Sequence, residues 1–215
     1  MICKTHSSLL SLFIVSSHSE IKIFFIRGGA ELKHLGTKRL ETDRLILRRF
    51  IMEDADAMYN NWANDPEVTK YLTWPHHKTV EMSHTVLGDW ISQYCKDDFY
   101  QWAIILKENL DEPIGTISVV HKNDSIEMVH IGYCIGKRWW KRGITSEALA
   151  ASIKFFFEEV GVNRIESRHD PRNPNSGKVM MKCGLKYEGT HREADWNNQG
   201  RCDFTMNAIL AKDYI

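Results

Sequence analysis

An apolar strand, a basic loop and a hydroxyl-rich helix start follow one another between Ile131 and Leu149. The order is Ile131-Gly132-Tyr133-Cys134-Ile135, then Gly136 to Arg142, then Gly143-Ile144-Thr145-Ser146-Glu147-Ala148-Leu149. A helix start leaves backbone N–H groups without partners and carries partial positive charge, which suits it to hold phosphate. Lys141 and Arg142 add charge, and Gly143 lets a ligand come close to the backbone. Both lysine and arginine can also be read as solvated surface charge. The segment fits the diphosphate of a nucleotide-like cofactor.

Such an anion seat must be local, because the chain as a whole has no field to offer. Its 215 residues carry 28 basic and 28 acidic side chains, so nothing global draws in nucleic acid or a membrane. Cys3, Cys95, Cys134, Cys183 and Cys202 are scattered, odd in number and without a C-x-x-C pair. That argues against a disulfide framework and a zinc site, and favours a reducing, cytoplasmic setting.

Residues 1–35 read as an extension ahead of a domain spanning 36–215. Leu9 to Val15 is apolar but too short to span a bilayer. Lys4 before it and Ser16 to Ser19 after it mimic a signal peptide, a reading that the free cysteines oppose. Alternatively, residues 1–31 lie upstream of the natural start. Arg27-Gly28-Gly29 can be encoded by a purine-rich run resembling a ribosome-binding site, with Leu32 or Leu35 as the start codon.

Arg44 to Phe50 predicts a first strand, and Asp54 or a neighbour a cap for a helix ending at Asp65-Pro66. Thr79 to Cys95 predicts a second helix, with Met82, Val86, Trp90 and Tyr94 on one face. The aromatic loop between them, Tyr71 to His77, is either a packed connector or a wall of an acceptor pocket. Tyr100 to Leu106, Ile114 to Val120 and Met128 to Ile135 predict an antiparallel meander, with turns at Asn109 to Pro113 and Lys122 to Ser125. A helix from Ser146 to Val160, capped by Gly161, leads to a strand at Arg164 to Arg168, which implies a parallel crossover. A short helix from Ser176 to Lys182, stopped by Gly184, precedes a final hairpin turning at Asn197 to Gly200. The fold class is α/β, one domain with a mixed, mostly antiparallel sheet.

Four stretches in this order resemble the GNAT superfamily of acyl-CoA N-acyltransferases, and within it the ribosomal-protein N-terminal acetyltransferase (RimJ/RimL-like) branch. Thr42-Asp43-Arg44-Leu45-Ile46-Leu47-Arg48 resembles that branch's T-x-R-L-x-L-R strand. Ile131-Gly132-Tyr133-x-Ile135 resembles I-G-Y-x-[IL], and Trp140 to Ala148 resembles W-G-x-G-[YI]-[AM]-[ST]-E-A. Asn173-Pro174-Asn175-Ser176 with Lys182-Cys183-Gly184-Leu185 resembles N-x-x-S followed by K-x-G-F. The chain departs from the pattern at Lys141, where the branch often has glycine, at Thr145, and at Leu185, where an aromatic is usual.

The resemblance implies acetyl transfer from acetyl-CoA to an amine, without a metal. It places the diphosphate on the N–H groups of Lys141, Arg142, Gly143, Ile144, Thr145 and Ser146, and the pantetheine arm beside Ile135. It implies main-chain donors around Tyr133 to Ile135 for the thioester oxygen, and Asn173 orienting the pantetheine amides. Lys178 is a candidate for the 3′-phosphate, or a plain surface lysine. Ser176 is the first choice as acid for the thiolate, with a helix-capping role as its alternative; Tyr187 is a weaker acid candidate.

An α-amine has a pKa of about 8 and is partly neutral at pH 7, whereas lysine at about 10.4 is almost wholly charged. An α-amine acceptor therefore asks little of a base. His130 stands where the branch often has glutamate and is either that base or a polar strand residue. Glu166 and Asp170 are candidate relays, and Glu147 reads as structural. Trp74 and Trp196 are the candidate acceptor contacts. Because the amine attacks directly, Cys134 is not needed as a nucleophile.

The expected acceptor is a protein N-terminal α-amine, with a small amine such as a polyamine, amino acid or antibiotic as the alternative. A reading of another class is a non-catalytic acyl-CoA-binding regulatory protein. Edge strands near the C-terminus leave homodimerisation open.

Overall fold

The computed structural model describes residues 32–214, so the readings of the N-terminal segment and of Cys3 lie outside the described residues. One sheet of eight strands organises them, in the order β1-β2-β3-β4-β5-β6-β8-β7. Strands β1 (Leu40–Glu41), β2 (Leu45–Arg48), β3 (Gln101–Leu106), β4 (Asn109–Asn123) and β5 (Met128–Ile135) run antiparallel to their neighbours. Strand β6 (Arg164–His169) pairs parallel with β5, as the crossover requires. Strands β8 (Gly200–Leu210) and β7 (Lys186–Asn197) close the far edge as a hairpin.

Helix α1 (Ala55–Met58), widened into a π turn over Tyr59–Ala63, lies on one face of the sheet with α2 (Pro66–Thr69) and α3 (Val80–Gln93). The other face carries α4 (Ile144–Phe155), continued by Phe156–Val160, and α5 (Pro174–Lys182). Leu149, Ile153, Phe156 and Val160 are buried on that second face, as their spacing predicts, and Gly161 ends the helix with φ 84°. The packed chain reaches back to Leu32, which is buried, and Lys33 N–H donates to the Val160 carbonyl.

Several boundaries differ from the sequence expectation for physical reasons. Asp54 caps no α-helix; its buried carboxylate accepts from the Ile51 N–H and takes a bidentate pair from Arg48. Asp65 does not close α1 so much as open α2, accepting the Glu67 N–H with Pro66 in the first turn. On α3 the fully buried positions are Ser83 and Leu87 and Met82 is exposed, whereas Val86 and Trp90 pack partly buried against the core and Tyr94, just beyond the helix, is buried. Strand β4 starts at Asn109, because register shifts at Ile105 let the chain reverse within Lys107-Glu108. Helix α4 starts at Ile144, two residues before Ser146, since Gly143 adopts φ 74° and the helix follows at once. Helix α5 starts at Pro174, which puts Asn173 at its N-cap and Ser176 inside its first turn.

Candidate active site

The site begins where β5 and β6 part. They pair only from Met128 to His130 against Arg164 to Glu166, while β6 goes on with β8 as far as His169. Beyond that point β5 stays paired with β4 alone, up to Ile135. Ser167 holds the start of the gap, its Oγ donating to the Ile131 carbonyl at 2.7 Å. Gly136 N–H donates to Ile114 on the β4 side. Strand alternation therefore turns the main-chain groups of Ile131, Tyr133 and Ile135 toward the gap. The Ile135 carbonyl receives the Trp140 indole N–H at 2.9 Å, and the Ile135 N–H faces the gap on the side away from β4.

At the far end of β5 the chain enters the basic loop. No side chain caps the first turn of α4, so the N–H groups of Ile144, Thr145 and Ser146 are available to an anion. Lys141 and Arg142 are exposed beside it, and Lys141 itself adopts φ 61°. That left-handed backbone is a physical reason for glycine to suit the position. The loop is held from beneath: Glu147 accepts from Thr42 Oγ1 at 2.5 Å, from the Arg44 N–H at 3.0 Å and from Arg44 Nε at 2.7 Å. Burial alone would raise the Glu147 pKa, but these donors outweigh it and hold the carboxyl below its usual range. Glu147 is structural, as its place in the first turn suggests.

Two cations that the sequence reading did not single out stand next to the loop. A Cβ placed on Gly143 would lie 3.7 Å from Arg44 Nη2 and 3.9 Å from Lys182 Nζ. Both belong to stretches that carry the resemblance, Thr42 to Arg48 and Lys182 to Leu185. Lys178, the lysine named from sequence, is exposed one turn earlier on α5.

Tyr133 and Ser176 meet across the gap on the α4–α5 face. Tyr133 Oη donates to the Ser176 carbonyl at 2.9 Å and lies 3.0 Å from Ser176 Oγ. Burial pushes the phenol's pKa well up, so it stays protonated. Ser176 N–H bonds back to the Asn173 carbonyl, and it is Asn173, without a side-chain cap bond, that occupies the N-cap. The capping alternative for Ser176 is thereby excluded.

His130 points to the opposite face, since it lies three residues from Tyr133 on the same strand. It is buried, and its Nδ1 sits 3.3 Å from Glu166 Oε1. An ionised carboxylate only accepts, so the contact has His130 Nδ1–H donating to Glu166. Glu166 also takes Arg164 Nε and Nη2, at 3.1 and 2.9 Å. The hydrogen bond from His130 lowers its pKa, and with Arg164 this outweighs the effect of burial.

The aromatic loop and the β7–β8 turn are tied together beside this face. Asn198 Nδ2 donates to the carbonyls of Thr69 and Trp74, at 2.9 and 2.7 Å, and its N–H donates to Leu72. Asp170, buried after β6, receives Arg172 and the Asn197 amide. Trp74 is half-buried against His77, whereas Trp196 is exposed. Tyr187 is exposed on β7, where its hydroxyl meets Thr190 at 3.3 Å.

Among the described residues no group of His, Cys, Asp and Glu has the arrangement of a metal site, and no helix is long and apolar enough to cross a membrane.

Comparison with known proteins agrees with this geometry. The family described as an acetyltransferase (GNAT) domain matches residues 44–186. An uncharacterised N-acetyltransferase, p20, of Bacillus licheniformis is 31% identical over 175 residues, covering 81% of this chain and 97% of that protein. The [ribosomal protein uS5]-alanine N-acetyltransferase of Escherichia coli is 26% identical over 183 residues, covering 82% and 92%. A GNAT-family acetyltransferase structure from Bacillus anthracis superposes with a TM-score of 0.71 at 26% identity, covering 81% of this chain and 99% of the other. With its parted strands, its uncapped helix start and these relatives, the chain belongs to the GNAT family and is an N-acetyltransferase that uses acetyl-CoA.

Proposed function

We propose that the enzyme acetylates a protein N-terminal α-amine, by direct attack of the amine on acetyl-CoA. The observation that carries this reading is the gap between β5 and β6, with Ser176 on one face and the His130–Glu166 pair on the other. A thioester held in that gap meets a proton donor from one side and an amine from the other.

The chain's own groups divide the work. The N–H groups from Lys141 to Ser146, with Arg44 and Lys182 nearby, take the diphosphate. Asn173, at the head of α5, orients the pantetheine amides, and Lys178 is left for the 3′-phosphate. Main-chain N–H groups of Tyr133 and Ile135 stabilise the developing negative charge on the thioester oxygen. Nε2 of His130 receives the proton that the acceptor nitrogen loses, and Glu166 stabilises the imidazolium so formed. Ser176 supplies a proton to the departing thiolate.

The α-amine is favoured over lysine because an acceptor that is already partly neutral at about pH 7 asks little of a base such as His130. The resemblance to the uS5-alanine acetyltransferase supports a protein acceptor. The joined loop and turn, with Trp74 and Trp196 near them, supply a broad wall for a peptide. Free thiols at Cys95, Cys134, Cys183 and Cys202 accord with a cytoplasmic setting.

The test is release of CoA thiol with N-terminal peptides and with small amines, run on the wild type and on Ser176→Ala. Turnover of peptides well above that of polyamines or amino acids is expected, with Ser176→Ala slower by about a hundredfold. Faster turnover of a small amine would move the acceptor class, and normal turnover by Ser176→Ala would reject the serine as acid. Acetyl-CoA binding without thiol release from any amine would instead identify a regulatory binding protein.

A further inference from the structure

Tyr133 meets Ser176 with more acceptor atoms than it has protons. Its hydroxyl lies 2.9 Å from the Ser176 carbonyl and 3.0 Å from Ser176 Oγ. A phenol has one hydrogen and can fully donate to only one of them. If it donates to the carbonyl, Ser176 donates to Tyr133 Oη, and the serine proton points into the protein. If it donates to Oγ, the serine proton is free to turn into the gap. We propose that Tyr133 is the positioning residue that sets the direction of the Ser176 proton and stabilises Oγ once that proton has left. The inference rests on the reading of Ser176 as the acid.

The geometry keeps both arrangements within reach of one another. Both contacts come from the same hydroxyl, so exchanging them needs only rotation of two O–H bonds. The serine is held in place by its helix, because α5 lies directly on β6. A Cβ on Gly177 would stand 2.6 Å from His169 Nε2, so only glycine allows that approach. Burial keeps the phenol neutral, which makes it a donor and not a carrier of charge.

The proton balance follows. The acceptor nitrogen bonds to the acetyl carbon, the C–S bond breaks, and the Ser176 Oγ–H passes to sulfur. Oγ is left negative, and Tyr133 donates its hydrogen bond into it. The proton lost by the nitrogen, held at His130 Nε2, leaves to solvent, and solvent reprotonates Oγ. One N–H is lost and one S–H is gained.

The test is a double-mutant cycle of Tyr133→Phe and Ser176→Ala, with acetyl-CoA and a peptide α-amine. Tyr133→Phe is expected to lower kcat about tenfold or more while the KM for acetyl-CoA stays within about twofold, because the backbone at position 133 is unchanged. In the Ser176→Ala background it should add nothing. Site-specific 3-fluorotyrosine at position 133, a stronger donor of nearly the same shape, should restore kcat above that of the phenylalanine variant. Normal kcat in Tyr133→Phe, losses that multiply with those of Ser176→Ala, or no recovery with fluorotyrosine would each overturn the proposal. If Ser176→Ala is slow and Tyr133→Phe is not, the acid reading stands and only the positioning role falls. If Ser176→Ala is unimpaired, both fall.

Discussion

Glu147 on α4 and Arg44 at the head of β2 form the bond that fixes the basic loop to the sheet. The guanidinium meets one carboxylate oxygen, Oε2, with Nε at 2.7 Å and Nη2 at 2.6 Å, and Nη1 bonds the Arg142 carbonyl at 3.2 Å. One arginine thus grips the helix and the loop that precedes it. Arg44→Lys keeps the charge but loses the planar fork. Its KM for acetyl-CoA is expected to rise about tenfold, worth ~1.4 kcal/mol, with kcat nearly unchanged; steady-state kinetics check this.

The same contact has a pH dependence of defined sign. The folded-state pKa of Glu147 is depressed, so the ionised group's contribution is complete above the unfolded value of about 4.3. It is lost as pH falls through the lower folded value. Glu147→Gln should therefore be less stable than wild type at pH 7, and the difference in Tm should shrink toward pH 3. A difference that grew on acidification would contradict the assignment.

Lys141 separates backbone strain from charge. Its φ of 61° costs an ordinary side chain about 1 kcal/mol. Lys141→Gly removes both strain and charge, whereas Lys141→Ala removes the charge alone. If the charge helps hold the diphosphate, both variants bind acetyl-CoA more weakly, and only the glycine variant melts higher than the wild type. Equal affinities in all three proteins would make Lys141 a solvated surface group.

On the proposed acceptor side, Asn198 is the tie between the aromatic loop and the hairpin turn. Asn198→Ala leaves the Thr69 and Trp74 carbonyls without that donor. The KM for the peptide should rise several-fold, while acetyl-CoA affinity, measured by calorimetry, stays as in the wild type. A parallel loss in both would mean that the turn supports the whole site.

Which of these relationships can be read from sequence depends on their range. The strand, loop and helix from Ile131 to Leu149 are local, so periodicity and Gly143 locate the helix start to within two residues. Glu147 in the first turn of a helix is also legible as structural. Its partners Thr42 and Arg44 are not, because only tertiary packing brings a residue so distant in sequence to it. Lys182 is missed for a related reason: it shares one short helix with Lys178, and packing, not spacing, decides which one reaches Gly143. Asp54 and Asp65 show the limit of capping rules: a half-buried arginine claims the first, and a following proline assigns the second to the next helix.

Gly136 gives the most direct test of how the two faces are joined. It ends β5 beneath the π turn of α1, where a Cβ would stand 2.3 Å from the Asn61 carbonyl oxygen and 2.7 Å from the Trp139 ring. Backbone is the nearest obstacle, so rotamer changes alone cannot relieve it. Either the π turn moves away from the sheet or the end of β5 shifts. Gly136→Ala is expected to cost about 1–3 kcal/mol, within the range for an overpacked core. The strain falls between the Ile135 N–H, which faces the cofactor gap, and the start of the basic loop. The variant should therefore lose acetyl-CoA affinity as well as stability. Calorimetric titration at a temperature well below its Tm distinguishes the two: full affinity in the folded variant would show that α1 yields and that the end of β5 stays in place.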